Sequence, residues 1–278
     1  MPELPEVETI RQIIEPQISS SIIQKVEVLN EQIISYPDIE HFCENLTKKR
    51  FIGMNRRGKF LIFQHENQVS LFLHLRMTGQ LLITPREYPN EKHTHLVLHL
   101  SNGMELRYID VQRFGRFWLI GKNDSSNITG VNLLGLEPFD KRLTPEYLKS
   151  KLSQKKKSIK EMLLDQSVVA GIGNIYSDEI LYLCEIYPGT KCTELTDKDW
   201  ENLSQIIPQE LSLAIKENQM SAEEYLTGKG KKYRNMQFLK AYGHEGTPCP
   251  VCGSIFKKIL IGGRSSCYCP SRQKHRNI

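Results

Sequence analysis

The sequence predicts an α+β fold: an N-terminal antiparallel β-sandwich with flanking helices, then a helical region that ends in a small β-hairpin. Three observations carry this. Residues 22 to 120 alternate apolar and polar side chains in short runs such as KFLIF, HLVLHL and RFWLI, the period of half-buried strands. From about 153 to 226 the apolar spacing becomes helical, as in IKEMLLDQ and NLSQIIPQELSLAIKE. Residues 243–278 hold four of the seven cysteines, in CPVC and CYC, with a glycine pair between them.

The elements follow in order. Residues 5 to 15 read as a helix, with Pro5 at its first position, early glutamates suited to the helix dipole, and Pro16 ending the run. Between HLVLHL and MELRYI, Ser101-Asn102-Gly103 is a hairpin turn. GKNDSSNITG is a polar loop, and RLTPEYL leads into the helical region. There one helix is expected to end near Gln166 and another to start near Asn174, across the turn AGIGN. Residues 227 to 242, with Gly228, Gly230 and a lysine run, read as a mobile loop.

Size and composition set bounds. The 278 residues are 39% hydrophobic and 25% charged, a globular balance. No stretch approaches the roughly 20 apolar residues that span a bilayer, and the start lacks the basic and apolar pattern of a secretory signal. A cytoplasmic monomer without membrane partners is expected. From Gly228 onward eleven Lys or Arg face one acid, Glu245, a net of +10, so the rest of the chain carries −5. A basic, cysteine-bearing tail suits a polyanionic partner.

Four stretches carry chemistry. The first is the start, MPELPEVETI. Without Met1, Pro2 is a free secondary amine, and an α-amino group titrates near 7.7 to 8.0 against about 10.4 for lysine. It is therefore substantially neutral and nucleophilic near neutral pH, and Glu3 beside it can move protons. Read alone, the stretch is better explained as a stiff helix start. The second is AGIGN, where Gly171, Gly173 and Asn174 at a helix N-terminus suit a phosphate. The third is Cys249-x2-Cys252 followed by Cys269, a zinc knuckle pattern. A regular ribbon puts its fourth cysteine at 272, which is Arg272; Cys267, two residues before Cys269 on one strand face, is the favoured substitute and His275 the other. The fourth is RRGKF, HLRMTG and DVQRFG in the strand region, with cations at a strand entrance and the bulky Met77 and Phe114 close to glycines, as at loop tips, although such residues are more often core. Exposed apolar wedges beside arginine open duplexes.

Together, PELPEVET, RRGKFL, HLRMTG, EKHTH, SNGMELRY, D-x-x-RFG, VVAGIGNIYSDEIL and CPVCG with GGR resemble the formamidopyrimidine-DNA glycosylase and endonuclease VIII family along nearly the whole chain. The resemblance implies a β-sandwich catalytic domain at 1–135, a linker at 136–152, a helix–two-turn–helix DNA-binding domain at 153–242, and a zinc β-hairpin at 243–278. It implies one structural zinc ion, held by Cys249, Cys252, Cys267 and Cys269. It implies a partner, double-stranded DNA with a damaged base, bound in the cleft between domains and with the base flipped out. Pro2 is then the nucleophile and Glu3 its acid/base partner. Lys59, His74, Asn174 and Arg264 hold phosphates; Met77, Arg113 and Phe114 fill the vacated space; His93, Lys160 and Tyr242 complete the DNA contacts. The implied reaction is base excision with AP lyase (β,δ-elimination) activity through a proline Schiff base. The Met, Arg, Phe set points to oxidised purines. The segment 218–237 departs from the family by lacking its Gly-Gly-Ser-Thr and following Arg. An endonuclease VIII-like enzyme for oxidised pyrimidines and a non-catalytic damaged-DNA-binding paralogue are the alternatives.

Overall fold

A computed structural model describes residues 2–89, 91–125 and 127–275. The chain forms two compact units: Met1–Asn132 with Asn218–Arg234, and Leu133–Glu217 with Asn235–Ile278.

The first unit opens with α1 (Leu4–Ile18). The Glu6 carboxylate accepts the Glu3 backbone N–H at 2.7 Å, satisfying a donor that the helix start leaves free. Pro16 does not end the helix; it sits in the last turn, and the chain continues helical to Ile18. Proline there removes only one hydrogen bond, and Ile18, 1% exposed, gains burial from the extra residues. Then come β1 (Ile23–Val28), β2 (Ile34–Tyr36), α2 (Ile39–Leu46), β3 (Phe51–Arg57), β4 (Phe60–His65), β5 (Val69–His74), β6 (Gly79–Pro85), β7 (Thr94–Leu100), β8 (Met104–Asp110) and β9 (Arg116–Ile120). They form a four-stranded sheet, ordered β1-β7-β8-β6, and a five-stranded sheet, ordered β2-β9-β5-β4-β3. All pairings are antiparallel except β2 with β9. That edge strand has three residues, too few for an alternation to announce its direction. The turn at 101–103 joins β7 to β8, with Gly103 at φ +84° and the Asn102 side chain accepting the Met104 N–H. Val7, Ile10 and Ile14 of α1 share one core with Leu61, Leu73, Leu81, Leu98 and Leu106 of the sheets.

The second unit contains α3 (Pro145–Leu152), α4 (Ile159–Leu164), α5 (Asn174–Leu183) and α6 (Asp197–Glu217). Thr144 caps α3, and Ser158 with Glu161 forms a capping box on α4. Ile159, Ile172, Ile180, Trp200 and Leu211 pack in its core.

Segment 218–234 belongs to the first unit, where the sequence had assigned it to the helical domain and half of it to a mobile loop. It contains α7 (Ala222–Thr227). The buried Asn218 side chain donates to Thr9 of α1 at 2.9 Å and accepts the Arg234 N–H at 2.9 Å, clamping both ends. Tyr225 enters the β-sandwich core. Helical periodicity could report α7 but not which core its buried face meets. In the second unit the chain closes with β10 (Lys257–Ile261) paired to β11 (Arg264–Tyr268), Ile261 opposite Arg264.

Candidate active site and nucleic-acid interface

In the first unit, Glu3 caps α1 and is 1% exposed, with the half-buried Pro2 before it. Met1 lies outside the described residues. Lys59 follows Gly58, at φ +53°, in the turn between β3 and β4, and is 8% exposed. That turn is braced to α1: Arg56 donates to the Gly58 carbonyl at 3.0 Å and to Glu8 at 3.0 Å. Burial pushes the Glu8 carboxyl up, but Arg11 and Arg56 outweigh it and hold it below the ordinary glutamate value. Glu8 and Arg56 were not singled out in the sequence; their spacing of 48 residues hides the pairing.

His74 ends β5 and packs its ring edge-on against Phe60, centroids 4.7 Å apart. Its Nδ1 accepts the Arg76 N–H at 3.0 Å. Burial, then the nearby cations Arg76 and Lys59, push its pKa down to about 3. The ring is therefore neutral near pH 7, with its proton on Nε2. It can donate one hydrogen bond to a phosphate oxygen but adds no charge.

Met77 and Phe114 are 49% and 51% exposed, so both are loop-tip side chains rather than core. Arg113, next to Phe114, holds the left-handed region at φ +58°. One buried residue organises both tips. Asp110 accepts the Thr78 hydroxyl and the Gln112 N–H on Oδ1, and the Tyr108 hydroxyl and the Gly115 N–H, each at 2.9 Å, on Oδ2. Burial raises its carboxyl, yet these donors hold it below the ordinary aspartate value. Gly115 is required: a Cβ there would lie 1.7 Å from the Tyr108 hydroxyl oxygen. The sequence places this aspartate within DVQRFG without revealing its part, because Thr78, the partner that joins the two tips, lies 32 residues away. His93, half-buried at φ +71°, accepts the Asp110 N–H through its carbonyl at 3.0 Å.

In the second unit, Asn174 is the first residue of α5, preceded by Gly173 as the N-cap. Gln166 shapes the turn before it, accepting the Gly171 N–H at 2.9 Å and donating to the Ile172 carbonyl at 2.7 Å. Lys160 is corrected from the expected DNA contact. It is fully buried, and its ammonium meets Asp178 at 2.6 Å and the Asn174 carbonyl at 3.1 Å, so it positions the α5 start and does not reach a phosphate. Asp178 also accepts the Ser266 hydroxyl and the Cys267 N–H of β11. The next residue, Glu179, accepts the backbone N–H groups of Lys240, Ala241 and Tyr242 at 2.8, 2.9 and 2.7 Å. Those contacts set Tyr242 by its backbone. Arg264 is exposed at the hairpin tip, after Gly262 and Gly263 at φ +54° and +75°.

The sulfurs of Cys249, Cys252 and Cys269 lie within 4.8 Å of one another. Three converging thiols are a zinc donor set. Cys267 does not join them among the described residues, correcting the expected ligand. β11 ends at Tyr268, so Cys269 leaves the pleat, and the shared-face argument that paired it with Cys267 fails. Burial pushes the Cys267 thiol up to about 11. His275 instead packs its ring 5.1 Å from that of Tyr187.

Comparison with known proteins agrees along the chain. Residues 1–117 match the formamidopyrimidine-DNA glycosylase N-terminal domain, 134–225 the formamidopyrimidine-DNA glycosylase H2TH domain, and 246–271 the zinc finger found in FPG and IleRS. The formamidopyrimidine-DNA glycosylase of Desulforamulus reducens is 39% identical over 275 residues, covering 99% of each chain. That of Pelotomaculum thermopropionicum is 38% identical over 274 residues, again 99% of each. Among solved structures, Lactococcus lactis FPG with DNA containing Fapy-dG superposes with a TM-score of 0.90 at 34% identity, covering 98% of this chain and 100% of that one. The same enzyme with DNA containing an oxidised pyrimidine gives 0.90 at 34% identity, covering 99% and 100%. Fold and site define a DNA glycosylase of base repair with a structural zinc finger. The chain belongs to the formamidopyrimidine-DNA glycosylase family.

Proposed function

We propose that this chain binds duplex DNA with a damaged base, removes oxidised purines (8-oxoguanine and formamidopyrimidines), and then cuts the strand as an AP lyase. The observation that carries the reading is the start of α1: Pro2 directly before a carboxylate that is 1% exposed, on a helix braced through Glu8 and Arg56 to the turn bearing Lys59. In a chain that begins at Pro2, the amine lone pair attacks the sugar C1′. The bond from C1′ to the base breaks and the base leaves with a proton. Loss of the N–H proton leaves a neutral aminal; its nitrogen lone pair then expels O4′, and breaking of the C1′–O4′ bond opens the sugar to an iminium. Glu3 moves protons for the leaving base and the opening sugar. Loss of the C2′ proton expels the 3′ phosphate, and a second elimination expels the 5′ phosphate. Lys59 offsets the charge of those phosphates.

The other residues bind. His74, as a neutral donor, Asn174 at the α5 start and Arg264 at the hairpin tip take phosphates. Met77 and Phe114 occupy the space of the flipped base, and Arg113 offers its fork to the partner base. His93 and Tyr242 flank the backbone. A broader lesion range is the second reading. The atypical 218–237 sequence favours it, as does the L. lactis relative bound to oxidised-pyrimidine DNA.

The test incubates processed protein with duplexes bearing 8-oxoguanine, formamidopyrimidine, an oxidised pyrimidine or an abasic site, with borohydride added. A covalent adduct on the purine and abasic duplexes is expected. No adduct on any duplex overturns the enzyme reading, and an adduct on the pyrimidine lesion but not the purines overturns the substrate. Pro2→Gly is expected to lower trapping far more than DNA binding.

A further inference from the structure

We propose that the zinc of this hairpin is bound by three thiolates, those of Cys249, Cys252 and Cys269, and that its fourth ligand is a small exchangeable donor from solution. Structural zinc sites are tetrahedral, so a fourth donor is needed. The position a regular ribbon uses is Arg272, a permanent cation that cannot ligate. Its guanidinium is held elsewhere, 2.7 Å from Glu185 and 5.2 Å over the Tyr182 ring.

The two substitutes are equally committed. Cys267 sits opposite Lys258 in the ladder, and its N–H donates to Asp178 at 2.9 Å. Asp178 is paired in turn with the fully buried Lys160. The Cys267 backbone is thereby fixed in β11, and although its side chain packs in the same buried cluster as Cys249 and Cys269, its sulfur does not join the three that converge, among the described residues. His275 packs on Tyr187. Cys269 is fixed in place, its N–H donating to the Gln273 side chain and its carbonyl accepting the Gln273 N–H, both at 2.9 Å. Gln273 is itself tied to the Ile186 carbonyl. Cys249 and Cys269 are buried but Cys252 is exposed, so the cluster has one solvent face, where a ligand from solution enters. Such a site is one unit less negative than a four-thiolate one, in a hairpin that carries Lys257, Lys258 and Arg264.

The experiment exchanges cobalt(II) for zinc in the full chain and records the optical spectrum, which needs no catalytic activity. Thiolate charge-transfer intensity follows the number of bound sulfurs, and the ligand-field bands follow the donor set. Wild type and Cys267→Ser are expected to give the same spectrum, and in both imidazole or 2-mercaptoethanol should shift the ligand-field bands. Arg272→Cys should raise the charge-transfer intensity by roughly one third, one thiolate joining three, and abolish the response. A wild-type spectrum insensitive to both added ligands overturns the proposal, whatever the variants do. So does a loss of intensity in Cys267→Ser.

Discussion

Asp110 is the residue whose removal should say most about the loops that carry Met77 and Phe114. Its carboxylate receives four hydrogen bonds, but the donors differ in exposure. Tyr108 and Gly115 are buried, Thr78 half-buried, and Gln112 exposed. Asp110→Asn keeps the shape and one acceptor oxygen. The amide nitrogen will take the Oδ1 position, where the Thr78 hydroxyl can rotate and the Gln112 N–H can turn to water. The oxygen then still serves Tyr108 and Gly115. What remains is the lost charge assistance, about 1–2 kcal/mol. Asp110→Ala strands both buried donors at about 1–3 kcal/mol each, so about 2–6 kcal/mol in all. The difference between the two variants, rather than either alone, tests the argument. Because the folded carboxyl lies below its ordinary value, the wild-type advantage should be full above about pH 4. It should disappear as pH falls through the depressed value. The assay is urea unfolding of the first unit, read by hydrogen exchange on peptides covering 74–80 and 108–117. Equal losses in Asn and Ala, or losses under about 0.5 kcal/mol in both, would refute the hub.

Gly115→Ala should destabilise the same unit by about 3 kcal/mol or more, since its Cβ would meet the Tyr108 hydroxyl oxygen at 1.7 Å; a wild-type melting curve would show that the turn yields freely. Lys160→Met should cost about 3–5 kcal/mol in thermal unfolding by leaving the Asp178 carboxylate buried without its cation, and adding Asp178→Asn should recover part of that loss; a further loss in the double variant would count against a paired charge. Burial, with Glu179 and Glu217 against Lys240, pushes Glu210 up to about 7. Its stabilising contribution is therefore present below the ordinary glutamate value and lost as pH rises through about 7. Glu210→Gln should raise the stability of the second unit by on the order of 1–3 kcal/mol at pH 8, and by little at pH 4. Parallel melting-temperature profiles for wild type and Glu210→Gln from pH 4 to 8.5 would dismiss that titration.

The order of these effects follows from where the charges lie. The groups proposed to meet DNA, such as Met77, Arg113, Phe114 and Arg264, are exposed, and their loss should change function more than stability. The groups that hold them in place, Asp110, Asp178, Glu179 and Gln166, are buried or half-buried acceptors of backbone N–H groups. Their loss should be felt in folding before it is felt in binding.

The sequence alone determined whatever depends on neighbours along the chain. Strand alternation, the hairpin at 101–103, the start of α1 to within one residue (Pro5 expected, Leu4 observed), the helix beginning at Asn174 and the Cys249–Cys252 knuckle are all local patterns, and period, turn chemistry and spacing suffice for them. Only the tertiary structure decided which partners distant residues meet. Lys160 looks like any basic residue in a polar stretch until Asp178, eighteen positions on, is folded against it. Cys267 and Cys269 share a face only while the strand lasts, and it ends at Tyr268. Residues 222–227 are helical by their own pattern, yet Asn218 and Tyr225 commit the whole segment 218–234 to the β-sandwich unit. Periodicity tells which face of an element is buried, but not what lies on the other side.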